Sequence, residues 1–169
     1  LFVSGKDSLN NEYTCQGRSL SIPPTLLISA MTIIAEVRTA VTSDLKQPGN
    51  LLYAVGQTMA EFGGSHFAER MGVADTVVPR VDPARARRTM ISLHAAISAG
   101  LVAACHDCSE GGLALALAEM AFSGGWGARI STAEVPFRGV RSDYAVLFSE
   151  SNSRFLVEVA PEARKRFER

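Results

Sequence analysis

The chain of 169 residues balances 17 lysines and arginines against 17 aspartates and glutamates, with 47% hydrophobic and 20% charged residues. A net charge of zero gives no general pull toward nucleic acid or an anionic membrane, so any anion site must be local. No apolar run approaches the roughly 20 residues of a membrane-spanning helix, and three cysteines make no disulfide framework, which points to a reducing compartment, the cytoplasm.

The opening, LFVSGKDS, lacks the charged flank and cleavage pattern of a signal peptide and reads as a chain entered in mid-strand. GRSLSIPPT (17–25) has the composition of a linker. LLISAMTIIAEV (26–37) is rich in β-branched residues and favours a strand, with a helix as the alternative. QPGN (47–50) is turn chemistry, and LLYAVG (51–56) after it reads as a buried strand. MAEFGGSHFAERMG (59–72) is helical at its ends and broken by Gly63 and Gly64. The clearest helix is 83–99: Asp82 can accept from the first-turn N–H groups and Pro83 suits the first helical position. Met90, Leu93 and Ile97 share one face of it, and Gly100 can end it in the left-handed conformation. A strand at 101–105, a loop, a helix at 112–122, strands at 143–148 (DYAVLF) and 154–159 (RFLVEV), and a helix from Pro161 complete the chain. This order predicts an α/β layered sandwich, with helices 83–99 and 112–122 on a mixed sheet of at least four strands.

Two segments carry chemistry. In HDCSEGG, Cys105 and Cys108 have the C-x-x-C spacing of zinc and dithiol sites. A structural zinc needs four ligands, however. Cys15, His66 and His94 are distant, and His106 sits between the two thiols. A dithiol motif also opens its helix directly, whereas Ser-Glu-Gly-Gly follows here, so the pair reads as small buried side chains. The same loop leaves a strand with a carboxylate at Asp107 and a hydroxyl at Ser109, and then Gly111 and Gly112 open a helix. Glycine N–H groups at a helix start can meet an anion, and an Asp beside phosphates would hold Mg²⁺. The alternative is that Asp107 or Ser109 caps the helix and the glycines only let it pack closely. In VSGKDSLNNEY (3–13), the backbone at Gly5 and the ammonium of Lys6 can meet phosphate, while Asp7 and Asn10 can meet a metal. It lacks the first glycine of a Walker loop, and a solvated polar turn is the alternative.

Taken together, VSGKDSLNNEY, IPPTLLISA, VTSDLKQPGNLLYAVGQT, GGSHF, HDCSEGGLALALAEMAF and LFSESNSRFLVEV closely resemble the phosphoribosylformylglycinamidine synthases. The likeness is to the second of two homologous halves of the synthetase subunit in the multi-subunit form. Aminoimidazole ribonucleotide synthetase, selenophosphate synthetase and thiamine-monophosphate kinase are wider relatives. The resemblance implies a fragment of a purine-biosynthesis ligase that uses ATP and Mg²⁺ to activate the amide oxygen of formylglycinamide ribonucleotide. Ammonia from a glutaminase subunit then displaces phosphate to give the amidine. Residues 1–24 would be the tail of the N-terminal ATP-binding lobe plus a linker, and residues 25–169 the C-terminal lobe, folded like that of aminoimidazole ribonucleotide synthetase.

The resemblance also implies site residues. Gly5, Lys6, Asp107, Ser109, Gly111 and Gly112 fall at nucleotide positions, Ser8 at a substrate position, and Asp7 and Asp107 at metal positions. Lys6 stands where the family frequently has a metal-binding Asn and cannot itself ligate Mg²⁺; similarity to the single-chain large enzymes, which also read Gly-Lys-Asp-Ser, implies the metal role for Asp7 instead. The family's catalytic histidine belongs to the first half, and His66, His94 and His106 do not replace it. The partners implied are the remainder of the synthetase, the glutaminase subunit and a small accessory subunit, with self-association of the isolated lobe through apolar surface. Other readings are a non-catalytic nucleotide-binding or structural lobe, or a small-molecule kinase relative. The run SGKDSLNNEY argues against the kinase.

Overall fold

The computed structural model describes residues 2–8, 11–23, 25–74 and 77–169. The chain divides into two compact units, Leu1–Arg38 and Thr39–Arg169.

The first unit consists of β1 (Phe2–Ser8), β2 (Glu12–Cys15), β3 (Arg18–Ser21) and β4 (Thr25–Ala30). β2 and β3 form a hairpin whose turn, Gln16-Gly17, has φ of 50° and 72°, the left-handed pair that matches strand twist. The segment expected to be a linker therefore contains a strand. β1 and β4 pair antiparallel, with Gly5 opposite Ile28 and Phe2 opposite Ala30. The strand expected over 26–37 ends at Ala30, which pairs with Phe2 of β1. Leu26, Leu27, Ile28 and Ile33 are all exposed, so this unit holds apolar surface it does not bury by itself.

The second unit runs β5 (Leu51–Val55), β6 (Thr58–Met59), α1 (His66–Met71), α2 (Pro83–Ser98), β7 (Ala104–Asp107), α3 (Gly112–Gly124), β8 (Phe137–Arg138), α4 (Asp143–Phe148), β9 (Phe155–Val159) and α5 (Arg164–Phe167). β9 lies between β5 and β7 and is antiparallel to both. β6 and β8 form a separate parallel pair, so the strands are spread over small sheets rather than gathered in one.

Alternation along β9 splits the core. Val157 and Val159 pack with Leu93 of α2 and Val102, while Leu156 packs with Leu113, Ala116 and Met120 of α3. A third cluster joins Phe62, Ala68 and Ala145, with the Phe67 and Phe148 rings stacked 4.8 Å apart. Among the described residues, no helix is long and apolar enough to cross a membrane.

The start and end of α2 follow from its caps. Asp82 accepts from the Arg85 N–H at 3.0 Å, Pro83 opens the helix, and Gly100 takes φ of 67° beyond its end. Leu93 is buried and Ile97 half-buried, whereas Met90, expected on the same face, is exposed. Two other expectations are corrected. DYAVLF is a helix, not a strand: Ser142 caps it by accepting from the Ala145 N–H, and Ala145 and Val146 point inward. The strand expected at 101–105 is shifted to Ala104–Asp107, the stretch that faces Glu158 to Phe155 across the ladder.

Candidate functional site

β7 ends at Asp107, and the Cys108 N–H donates to the Arg154 carbonyl at 2.9 Å, which carries the pairing one residue past the strand. Cys105 packs in the α2-side cluster and Cys108 in the α3-side cluster, so the C-x-x-C thiols are divided between the two faces of the sheet. Burial pushes both thiols up from 9.0 to about 11, with the nearby Asp107 carboxylate adding to it; for Cys108, Arg154 pulls the other way. The fold thus favours the neutral thiol. Stability that is intact below pH 9.0 falls as pH rises through about 11. Exposed Cys15 is expected to react with a thiol-disulfide reagent at pH 8 on the order of a hundredfold faster than Cys105 or Cys108, because so little thiolate exists at the buried pair. Three fast thiols in a stopped-flow trace would contradict this.

The loop that follows gathers four of the predicted residues. The Ser109 hydroxyl donates to Asp107 Oδ2 at 2.5 Å. That bond, helped by the backbone of Asp107 and less by the His106 ring, holds the Asp107 carboxyl below its ordinary range against the opposing effect of burial. The Asp107 side chain remains 61% exposed, and His106 Nδ1 faces its Oδ1 at 3.3 Å. The other ring nitrogen, Nε2, lies 2.9 Å from Glu119 Oε2 on α3. The Gly111 N–H donates to Glu150 Oε1 at 2.9 Å and the Gly112 N–H to the Ser109 carbonyl at 3.0 Å. Both glycine N–H groups thus have partners within the chain, and the carboxylate at the start of α3 is Glu150.

Glu150 is held there by a buried arginine. Arg154 Nε donates to the Ser151 carbonyl at 2.9 Å, Nη1 to Thr58 Oγ1 at 2.9 Å, and Nη2 to the Ser149 carbonyl. These bonds fix the turn 149–153, and the Glu150 N–H itself donates to the Glu61 carbonyl at 3.1 Å. Neither Glu119 nor Glu150 had been singled out from the sequence. Glu150 lies within the LFSES run, the only signal it carried, and Glu119 is one of several polar residues of an apolar helix.

Gly5, Lys6, Asp7 and Ser8 lie on β1 in the first unit, opposite Ile28, Leu27, Leu26 and Thr25. The side chains of Lys6, Asp7 and Ser8, and Asn10 altogether, are outside the described residues. His66 starts α1, with its Nδ1 3.7 Å from Glu69, and His94 is exposed on α2. Among the described residues, no group of three or more His, Cys, Asp or Glu could hold a metal ion by itself. A cleft of about 900 Å³ opens along β5, lined by Leu52, Trp126, Arg129 and Glu134, and none of the predicted site residues lines it. The Asp107 loop is the better candidate because it brings an ionised, exposed carboxylate and a hydroxyl to a strand end.

Residues 47–169 match the family described as AIR synthase related protein, C-terminal domain. Over 156 residues the chain is 39% identical to the phosphoribosylformylglycinamidine synthase subunit PurL of Thermococcus sibiricus, covering 92% of this chain and 21% of that protein. The fold is similar to Thermotoga maritima PurL complexed with FGAR, with TM-score 0.67 and 26% identity over 77% of this chain and 23% of that one. It is also similar to T. maritima PurL complexed with ADP, with TM-score 0.58 and 25% identity over 77% of this chain and 20% of that one. The chain thus spans about a fifth of the length of the curated relative, 21%.

Proposed function

The chain belongs to the AIR synthase related family, whose C-terminal domain it carries over residues 47–169, and we propose that it works as part of a cytoplasmic phosphoribosylformylglycinamidine synthase. That enzyme is an ATP-dependent ligase of purine biosynthesis that makes formylglycinamidine ribonucleotide from formylglycinamide ribonucleotide and glutamine-derived ammonia. Its partners would be the rest of the synthetase, a glutaminase subunit and a small accessory subunit. The observation that carries the reading is the Asp107 carboxylate, exposed at a strand end and hydrogen-bonded by Ser109.

The residues present fit Mg²⁺ with ATP in part. Asp107 is a hard oxygen donor kept ionised by its neighbours, and a magnesium site of this kind uses one or two carboxylates with phosphate and water oxygens. Magnesium would there neutralise phosphate charge. Asp107 would hold it, and Ser109 would orient the carboxylate and meet the nucleotide. Gly111 and Gly112 contribute conformation and close packing, since their N–H groups already have partners. For the first unit taken by itself, the resemblance assigns Gly5 and Lys6 to phosphate, Asp7 to a metal and Ser8 to substrate. Such a site does its chemistry by positioning and charge neutralisation.

Calorimetry of ATP with and without Mg²⁺ tests this. Magnesium-dependent binding that falls at least about tenfold in Asp107→Asn is the expected result. Equal binding by both proteins would overturn the assignment of Asp107. The other reading, a lobe that binds nucleotide without turnover, is favoured if binding is tight and ATP remains intact after long incubation.

A further inference from the structure

A carboxylate that is 61% exposed ordinarily rotates freely, and a ligand must freeze it on binding. Asp107 is not free in this way. Its Oδ2 takes the Ser109 hydroxyl at 2.5 Å and its Oδ1 faces His106 Nδ1 at 3.3 Å. The second contact is long, and alone it would orient little. What gives it direction is the far side of the ring, where Nε2 meets Glu119 Oε2 at 2.9 Å. Glu119 stands on α3, whose Ala116 and Met120 are buried in the sheet-facing core. The ring itself is only 22% exposed, so it is wedged between the strand end and the helix. A continuous chain of contacts therefore runs from a rigid helix through Glu119 and His106 to the carboxylate.

We propose that His106 and Glu119 are positioning residues for cation-bound nucleotide at Asp107, acting through the orientation of its carboxylate. The proposal rests on the reading of Asp107 as the magnesium-nucleotide ligand. Neither residue touches the cation. Glu119 acts through the ring, and His106 through Oδ1, in the way that outer carboxylates fix metal-binding groups elsewhere. The arrangement lowers the ordering that binding requires, so its loss should appear in affinity and not in fold stability. It also gives His106 a role distinct from proton transfer.

The test uses the full chain with manganese as the probe, alone and with ATP, followed by electron paramagnetic resonance of the free ion. His106→Ala and Glu119→Gln are expected to weaken manganese-ATP binding about tenfold, with the thermal midpoint unchanged. On an Asp107→Asn background neither should have any further effect, which a general structural role would not produce. His106→Asn, which keeps a polar atom at the Nδ1 position, should recover more affinity than His106→Gln, which keeps one at Nε2. Unchanged affinity in His106→Ala and Glu119→Gln, with loss in Asp107→Asn, would overturn the proposal and leave the Asp107 reading standing. No effect of Asp107→Asn, or no binding by the wild type, would instead sink that reading. The positioning claim is then decided on the ion-free protein. Asp107 carboxyl and Ser109 amide resonances that shift in both His106→Ala and Glu119→Gln support it, and identical spectra overturn it.

Discussion

Gly112→Ala is expected to cost this protein about 4 kcal/mol or more of stability. Gly112 opens α3 with φ of 62°, so an alanine there meets a left-handed backbone at about 1–2 kcal/mol. The larger effect is contact. A methyl group at this position would lie 2.3 Å from the Ser149 carbonyl oxygen and 3.0 Å from that of Leu147, both backbone atoms that cannot swing aside. Relief requires α3 to move away from the end of α4, and with it Leu113 and Ala116 from the sheet. Gly125→Ala is the control. It has φ of 71° but nothing within 4 Å of the added methyl, so only the backbone cost of about 1–2 kcal/mol applies. Urea denaturation followed by circular dichroism measures both. Equal losses would show that the approach of α3 to 147–149 is not the constraint described.

Glu158→Ala is expected to cost about 3–5 kcal/mol. Glu158 sits on the central strand with 1% exposure. It accepts the Lys46 N–H at 2.8 Å on one oxygen, and the Gln47 N–H at 3.2 Å and the Asn50 Nδ2 at 2.7 Å on the other. These bonds tie the turn 46–50 to the sheet, while the Leu45 N–H ties the preceding residue to the Met120 carbonyl at 3.0 Å. Alanine removes the shared acceptor of three donors at once, and only water from the adjoining cleft is left to replace it. Glutamine keeps the oxygen that serves Gln47 and Asn50 and opposes an N–H to that of Lys46, so a smaller loss of about 2 kcal/mol is expected. Hydrogen exchange at Lys46 and Gln47 should accelerate strongly in the alanine variant and moderately in the glutamine variant. Unaltered exchange at both amides would refute the account.

These two constraints also separate what was legible in the sequence from what was not. α2 could be read because its signals are local: Asp82, Pro83 and Gly100 act within a few residues of themselves. α3 and β9 had equally local marks in their glycines and alternation. DYAVLF misled because five apolar residues after an aspartate have no period long enough to distinguish strand from helix, and the deciding signal was the Ser142 cap just before it. In the first unit, Pro23 and the serines drew attention from the Gln16-Gly17 turn that makes the hairpin. At the loop, Asp107 and Ser109 were visible as neighbours in sequence. Glu150, thirty-nine positions beyond Gly111, and Glu119, reached only through a histidine ring, become neighbours only when helix and sheet have packed.

The place of β9 has a consequence for the birth of the protein. It is the middle strand of its three-stranded sheet and follows both β5 and β7 in sequence, so neither has a partner in that sheet until it exists. A ribosome adding about 5–20 residues per second needs on the order of ten seconds to go from one side of the Asn50–Glu158 contact, 108 positions apart, to the other. For that interval both strands carry open edges and α2 and α3 have no common surface to close on. A chain stopped short of residue 155 would therefore hold helices without a sheet, and the core of this unit waits on the synthesis of β9.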